Sequence, residues 1–218
     1  MYKTEALNMN DEQFHDFFEK CINPLEKFYD ETVEKHPNWK KNEDERLLIL
    51  KNVCNILKAT NLNCISNKKE LDQVSSKTGI SLTEEHEAIN DNIIKIGFIF
   101  VLCSTVESSF RKFAKQYDIE DNRISKIYKN LFYKLNIKDY DAITIITYIR
   151  NAISHNNQIW IYDDKEIENN GKVYRFEKDE IVEYITWEDF FNLLPGIIDI
   201  ICKVINSTDL GRLYVIKK

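Results

Sequence analysis

The sequence predicts an all-α protein: a helical bundle carrying one small β-hairpin late in the chain. Three observations support this. Apolar residues recur at three- and four-residue spacing through most of the 218 residues. The period shortens to two only after His155. Five Gly and three Pro interrupt a chain that is 43% hydrophobic, too few breakers for a many-turned β protein. The apolar share also excludes a disordered chain, even with 30% charged residues.

Asn10 with Gln13 marks a first helix start, continued by Phe14, Phe17, Phe18, Ile22, Leu25 and Phe28. Pro24 is expected to kink or restart that helix, and His36-Pro37-Asn38 to end it. A second helix is expected over 43–58, with Leu47, Leu50, Val53, Cys54 and Leu57 inward. Residues 60–80 are polar, with room for a short helix around Leu71 and Val74. Ser81 with Glu84 resembles a capping box. The long helix after it carries Ile89, Ile93, Ile96, Phe100, Cys103, Phe110 and Ala114, and is apolar nearly all round in its middle. It therefore reads as the central helix.

Ile124, Ile127, Tyr128, Leu131 and Leu135 mark the next helix. Asp139 or Asp141 opens another, through Ile143, Ile146, Ile149 and Ile153. Gln158 to Tyr162 and Lys172 to Glu177 read as strands around the turn Glu168-Asn169-Asn170-Gly171, with Ile181 to Ile185 as a third short strand. Thr186 caps a last helix running to about 206, with a bend expected at Pro195-Gly196. Residues 1–80 are thus expected as a helical extension packed on a core domain, 81–218, with its hairpin at about 158–185.

The longest apolar run, Gly97 to Cys103, falls well short of the roughly 20 residues that span a bilayer. No basic-then-apolar leader opens the sequence. The five cysteines are odd in number, scattered and without a CxxC pair, and the four histidines lie far apart. The expectation is a reduced, cytoplasmic protein with no membrane partner, no structural metal and no cofactor. Asp163, Asp164, Glu166 and Glu168 read as a charged hairpin tip.

Net charge is −6, which argues against a general nucleic-acid coat protein. Its distribution is uneven. Residues 1–46 hold seven Lys or Arg against twelve Asp or Glu, and 163–189 hold four against ten. Residues 111–138 reverse the balance, with eight basic residues against three acidic. Any polyanion should meet this middle stretch, where Lys126, Lys129 and Lys134 alternate with Tyr117, Tyr128 and Tyr133. Lysines there would track an RNA backbone while tyrosines, Tyr128 among them, stack on bases. A plain solvated helix face is the alternative.

The chemistry-bearing stretch is Tyr148-Ile149-Arg150-Asn151-Ala152-Ile153-Ser154-His155-Asn156-Asn157. Asn151 and His155 are four apart and share a helix face, whereas Arg150 and His155 stand about 140° apart around the axis. Arg offers a planar, permanently charged fork for phosphate. His moves protons near neutral pH. Together they suit a phosphodiester and a ribose hydroxyl without a metal ion. The same pair also suits an ordinary helix end, where cations complement the dipole.

Arg150-Asn151-Ala152-Ile153-Ser154-His155 resembles the Rx4-6H motif of the HEPN superfamily (higher eukaryotes and prokaryotes nucleotide-binding), with a polar residue directly after the Arg. The context is similar too: a long central helix with Glu107 and Arg111, a connecting helix, then the motif near a helix end. The resemblance covers roughly residues 84–206. It implies a metal-independent endoribonuclease that leaves a 2',3'-cyclic phosphate, working as a homodimer with a composite active site. Arg150 would stabilise the phosphorane charge, His155 would act as general base or acid, and Asn151 would orient a phosphate or the partner His. Glu107 and Arg111, four apart on the central helix, read as an ordinary ion pair; the alternative is that Glu107 approaches Arg150 and, with Ser154, supports the site. A toxin–antitoxin or phage-defence role, with an antitoxin or regulatory protein as partner, is implied by the same resemblance. In family toxins paired with a nucleotidyltransferase a Tyr commonly stands two residues after the His. Asn157 stands there instead, so control through that Tyr is not implied. The rival readings are a non-catalytic HEPN-like module binding RNA, nucleotide or protein, and a structural helical adaptor.

Overall fold

A computed structural model of the chain describes residues 11–78 and 84–208. Its elements are α1 (Asp11–Lys35), α2 (Glu45–Thr78), α3 (Glu84–Lys115), α4 (Ile124–Lys134), α5 (Asp141–Asn156), β1 (Lys165–Asn169), β2 (Lys172–Phe176) and α6 (Trp187–Ser207). The molecule is mostly helical, with a single two-stranded antiparallel sheet among the described residues. The start signals at Asn10 and Ser81 lie outside those residues.

Phe14, Phe18, Cys21, Ile22 and Leu25 bury one face of α1, which runs unbroken through Pro24 because that residue sits on the exposed side. Asp44 opens α2. Its Oδ1 accepts from the Arg46 backbone N–H at 3.0 Å, and its carboxylate holds the Arg46 guanidinium at 2.6 and 2.8 Å. That buried guanidinium also lies 3.2 Å over the Trp39 ring. α2 does not stop near Lys58, as the sequence suggested. It continues to Thr78 because Thr60 and Asn61 are buried and take the inward positions, with Asn61 Nδ2 meeting His15 Nδ1 at 2.9 Å.

α3 is less enclosed than its composition implies. Phe98, Ile99, Leu102, Val106, Phe110 and Phe113 are buried, but Ile89, Ile93 and Val101 are exposed, so one apolar face stands open. By length and composition α3 (over Ile89–Lys115) and α6 would each suffice to cross a bilayer. About half of the most apolar stretch of each is buried inside the bundle.

The late segment is reordered relative to expectation. Residues 158–162 form no strand; they make one isolated bridge, Ile159 to Ile181, and 181–185 adds no third strand. β1 instead uses Glu166 and Glu168, read from the sequence as a loop tip. Its pattern Lys165-Glu166-Ile167-Glu168 alternates, turning Ile167 inward. Register is set by Asn170-Gly171, both at positive φ (49° and 78°), which closes a two-residue turn with Asn169 opposite Lys172. Glu166 then faces Arg175 across the pair, carboxylate to guanidinium at 2.9 Å.

Thr186 caps α6, accepting from the Asp189 N–H at 3.1 Å while its hydroxyl donates to Asp189 Oδ2 at 2.6 Å. Lys172 reaches Asp189 Oδ1 at 2.8 Å, tying the hairpin to the start of α6. α6 continues through Pro195 and presses on α5 at Gly196, where an added Cβ would lie 2.8 Å from Ala142 Cβ. One contiguous core runs from Phe14 to Ile205 and draws on every helix.

Candidate functional site

Ile143, Ile145, Ile146, Ile149 and Ala152 drive α5 into the core, which leaves Arg150 and Asn151 at its margin and Ser154 and His155 on the outer side. Arg150 lies at the margin, its side chain 18% exposed, and turns toward α3. Its Nη2 donates to Glu107 Oε2 at 2.5 Å. Glu107 Oε1 accepts from Arg111 Nη2 at 2.9 Å and Nε at 3.3 Å. Arg111 in turn donates to the backbone carbonyls of Asp121 and Asn122, both at 3.0 Å. One carboxylate thus sits between two guanidinium groups, leaving the cluster net positive, and the chain of contacts fixes α5, α3 and the loop into α4 together. Charge-assisted hydrogen bonds of this kind are short and roughly twice as strong as neutral ones.

Beneath Arg150 lie Cys103, Thr147 and Tyr128. Burial pushes the Cys103 thiol up to about 12, against a smaller downward pull from Arg150. Burial likewise holds the Tyr128 phenol well above its ordinary range. These side chains line a cavity of about 10 Å³, room for one water at most. No nucleotide fits in that cavity.

His155 occupies the exposed last turn of α5. Among the described residues its ring has no hydrogen-bond or ionic partner. Asn151 is half-buried one turn earlier, and Ser154 is exposed, its hydroxyl 3.4 Å from the Asn151 carbonyl oxygen. The turn carrying His155 is held by the residues on its C-terminal side. Asn157 and Gln158 both adopt the left-handed conformation (φ 50° and 71°), and both backbone N–H groups turn back to the Ala152 carbonyl. The Gln158 carbonyl accepts from Val182 N–H at 2.8 Å, and Trp160 N–H donates to the Glu180 carbonyl at 2.9 Å. Two consecutive left-handed non-glycine residues persist because the neighbouring segment pins them.

The structure brings Arg150 and Glu107 together but separates Arg150 from His155: the first turns to α3, the second points into solvent. Lys126, Lys129 and Lys134 are exposed on α4. Tyr128 is a correction. It is 4% exposed, stacks on Phe132 at 5.7 Å and meets Phe110 edge-on at 5.7 Å, so no base can reach its face. The stripe Ile124, Ile127, Tyr128, Leu131 carries it inward with its apolar neighbours. The exposed tyrosine of α4 is Tyr133. Sequence reasoning also missed Arg111 as the anchor of the 121–122 loop, since a carbonyl partner ten residues on leaves no spacing signal. Among the described residues, no group of three His, Cys, Asp or Glu side chains is placed to hold a metal ion.

The fold and site define a helix-bundle protein with an Arg–Glu–Arg chain joining α3 and α5, and an exposed histidine on the last turn of α5. Compared with known proteins, the chain matches no family model, no curated protein and no solved structure.

Proposed function

We propose that this chain is a metal-independent endoribonuclease of HEPN type, cytoplasmic, cutting single-stranded RNA by 2'-hydroxyl attack. The observation that supports the reading most is the Arg150 fork, held in place by Glu107, on the same short helix as an imidazole with no protein partner among the described residues. His155 removes the 2'-hydroxyl proton. The 2'-oxygen forms a bond to phosphorus, and Arg150 stabilises the charge on the phosphorane. The bond from phosphorus to the 5'-oxygen breaks, and that oxygen takes up a proton, leaving a 2',3'-cyclic phosphate. Asn151 orients the phosphate.

One protomer turns these two groups apart, which favours a homodimer in which one copy's Arg150 serves a phosphate approached by the other's His155. The open apolar face of α3 (Ile89, Ile93, Val101) is the surface that would join the copies. The test is cutting of single-stranded RNA in excess EDTA. Arg150→Ala and His155→Ala should each abolish cutting, and mixing the two dead variants should restore part of it if the sites are composite. Cutting that survives in both variants would overturn the assignment.

The engagement of Arg150 by Glu107 favours a second reading, a non-catalytic module of the same type that binds RNA, nucleotide or a protein partner. Such a module would bind RNA in a salt-dependent way and never cut it. A toxin or phage-defence role, with an antitoxin or regulatory partner, belongs to the same proposal and rests on the motif's resemblance alone.

A further inference from the structure

α4 has two unlike sides. Ile124, Ile127, Tyr128, Leu131 and Phe132 are buried, and the opposite side carries Lys126, Lys129, Asn130 and Tyr133. On a helix, Lys126, Lys129 and Tyr133 fall within about 60° of one another, and Asn130 extends the stripe by about 40°. Lys134 is off it, about 100° from Tyr133.

Tyr133 is 88% exposed, the most exposed large hydrophobic side chain among the described residues. Its ring meets no other aromatic ring among the described residues. A bare ring on the same stripe as two lysines suits a ligand with a flat face and negative charge. Lys129 has no carboxylate partner among the described residues, and Lys126 reaches Asp121 only at 3.7 Å with about half its side chain in water. In a protein of net charge −6 this stripe is a positive island.

We propose that the outer face of α4 is a guide for single-stranded RNA, in which Tyr133 stacks on an unpaired base while Lys126 and Lys129, both on its N-terminal side, hold the neighbouring phosphates on that side. Stacking tolerates any base, and lysines read charge alone, so the guide would be indifferent to sequence. The placement ties it to the site above. Arg111 holds the carbonyls of Asp121 and Asn122 immediately before α4, and shares Glu107 with Arg150. The Lys126 end of the stripe therefore adjoins the Arg150 cluster, and Tyr133 stands about two turns, roughly 10 Å, farther along. This inference rests on the RNA reading of the protein but not on its cutting RNA.

The test uses the full chain carrying His155→Ala, and a fluorescein-labelled oligouridylate of about 12 nucleotides, read by anisotropy across a salt series. Tyr133→Ala should weaken binding by about tenfold or more, and Tyr133→Phe should restore it. Lys126→Gln and Lys129→Gln should each lower the slope of log affinity against log salt by about 0.7. Lys134→Gln should change little. Unaltered affinity in Tyr133→Ala, equal affinity for a duplex, or no binding at all would overturn the proposal. Tyr133-dependent binding in a protein whose unmutated form never cuts RNA would sustain this guide and reject the nuclease reading. Cutting that ignores Tyr133 would do the reverse.

Discussion

Arg150 of α5 and Glu107 of α3 meet at 2.5 Å, forty-three residues apart in the chain, and Glu107 grips Arg111 with its other oxygen. Neither Arg150 nor Glu107 is more than about a quarter exposed. Removing the charge of Glu107 leaves two guanidinium groups facing each other in a partly dry site. Glu107→Gln is expected to lower unfolding stability by about 1.5–3 kcal/mol, the range for a charged hydrogen bond, read as a fall in the urea midpoint. Arg150→Lys should keep most of that stability yet abolish RNA cutting, because an ammonium lacks the two-pronged fork. Full activity in Arg150→Lys would mean that only a positive charge is needed.

The close approach of α6 to α5 gives a second prediction. A methyl group at 196 would sit 2.8 Å from Ala142 Cβ, well inside contact distance, and both helices are fixed by their buried faces. Gly196→Ala should therefore destabilise by about 1–3 kcal/mol through overpacking. Adding Ala142→Gly should recover part of the loss. Equal urea midpoints for Gly196→Ala and the parent would show that the helices can part freely.

Gln158, at φ 71°, has the opposite expectation. A side chain in the left-handed region costs about 1–2 kcal/mol, and glycine escapes it while adding about 0.4–1 kcal/mol of unfolded-state entropy. Gln158→Gly should thus leave a net gain of up to about 1.6 kcal/mol, visible as a higher melting temperature. A lower melting temperature would mean that the Gln158 side chain itself anchors the turn.

Alkaline pH should weaken the fold. Burial pushes Cys21, Cys64, Cys103 and Cys202 up to about 12 and Cys54 up to about 11, all above the ordinary thiol value of 9.0. The folded state keeps these protons where the unfolded chain releases them. Their contribution is complete below about pH 9 and is lost as the pH climbs toward 12. The urea midpoint should fall steadily over that range, and less steeply in Cys103→Ala. A flat profile would reject the burial of the thiols.

The helices were legible from spacing, because the 3.6-residue period survives wherever one face is buried. Phe14, Phe18, Leu25, Leu50, Val53 and Ile146 all lie inside as their positions require. The extent of α2 was not legible, because Thr60 and Asn61 are polar yet buried and periodicity counts only apolar residues. The second hairpin strand fell where expected, over Lys172 to Phe176, but the first was misplaced because Ile159, Trp160 and Ile161 look more strand-like than Lys165 to Glu168, whereas the tight turn at Asn170-Gly171 selects its immediate flanks. At the site, Glu107 and Arg111 are one helical turn apart and could be paired on paper. The reach of Arg150 to Glu107 is tertiary, set by how α5 leans on α3, and spacing alone left it open. Tyr128 and Tyr133 are five apart and share a helix, but the apolar stripe separates them.

The aromatic seam between the first and last helices limits how this chain can be divided. Phe14 meets Trp187 edge-on at 4.9 Å, Phe17 lies 3.8 Å from Phe191, and Phe18 touches both neighbours. A truncated fragment beginning near residue 84 would keep the Arg–His pair but strip Phe14, Phe17 and Phe18 from Trp187 and Phe191. Such a piece is expected to aggregate on expression instead of behaving as a minimal enzyme, and supplying residues 1–80 as a separate peptide should rescue it only by refilling that seam.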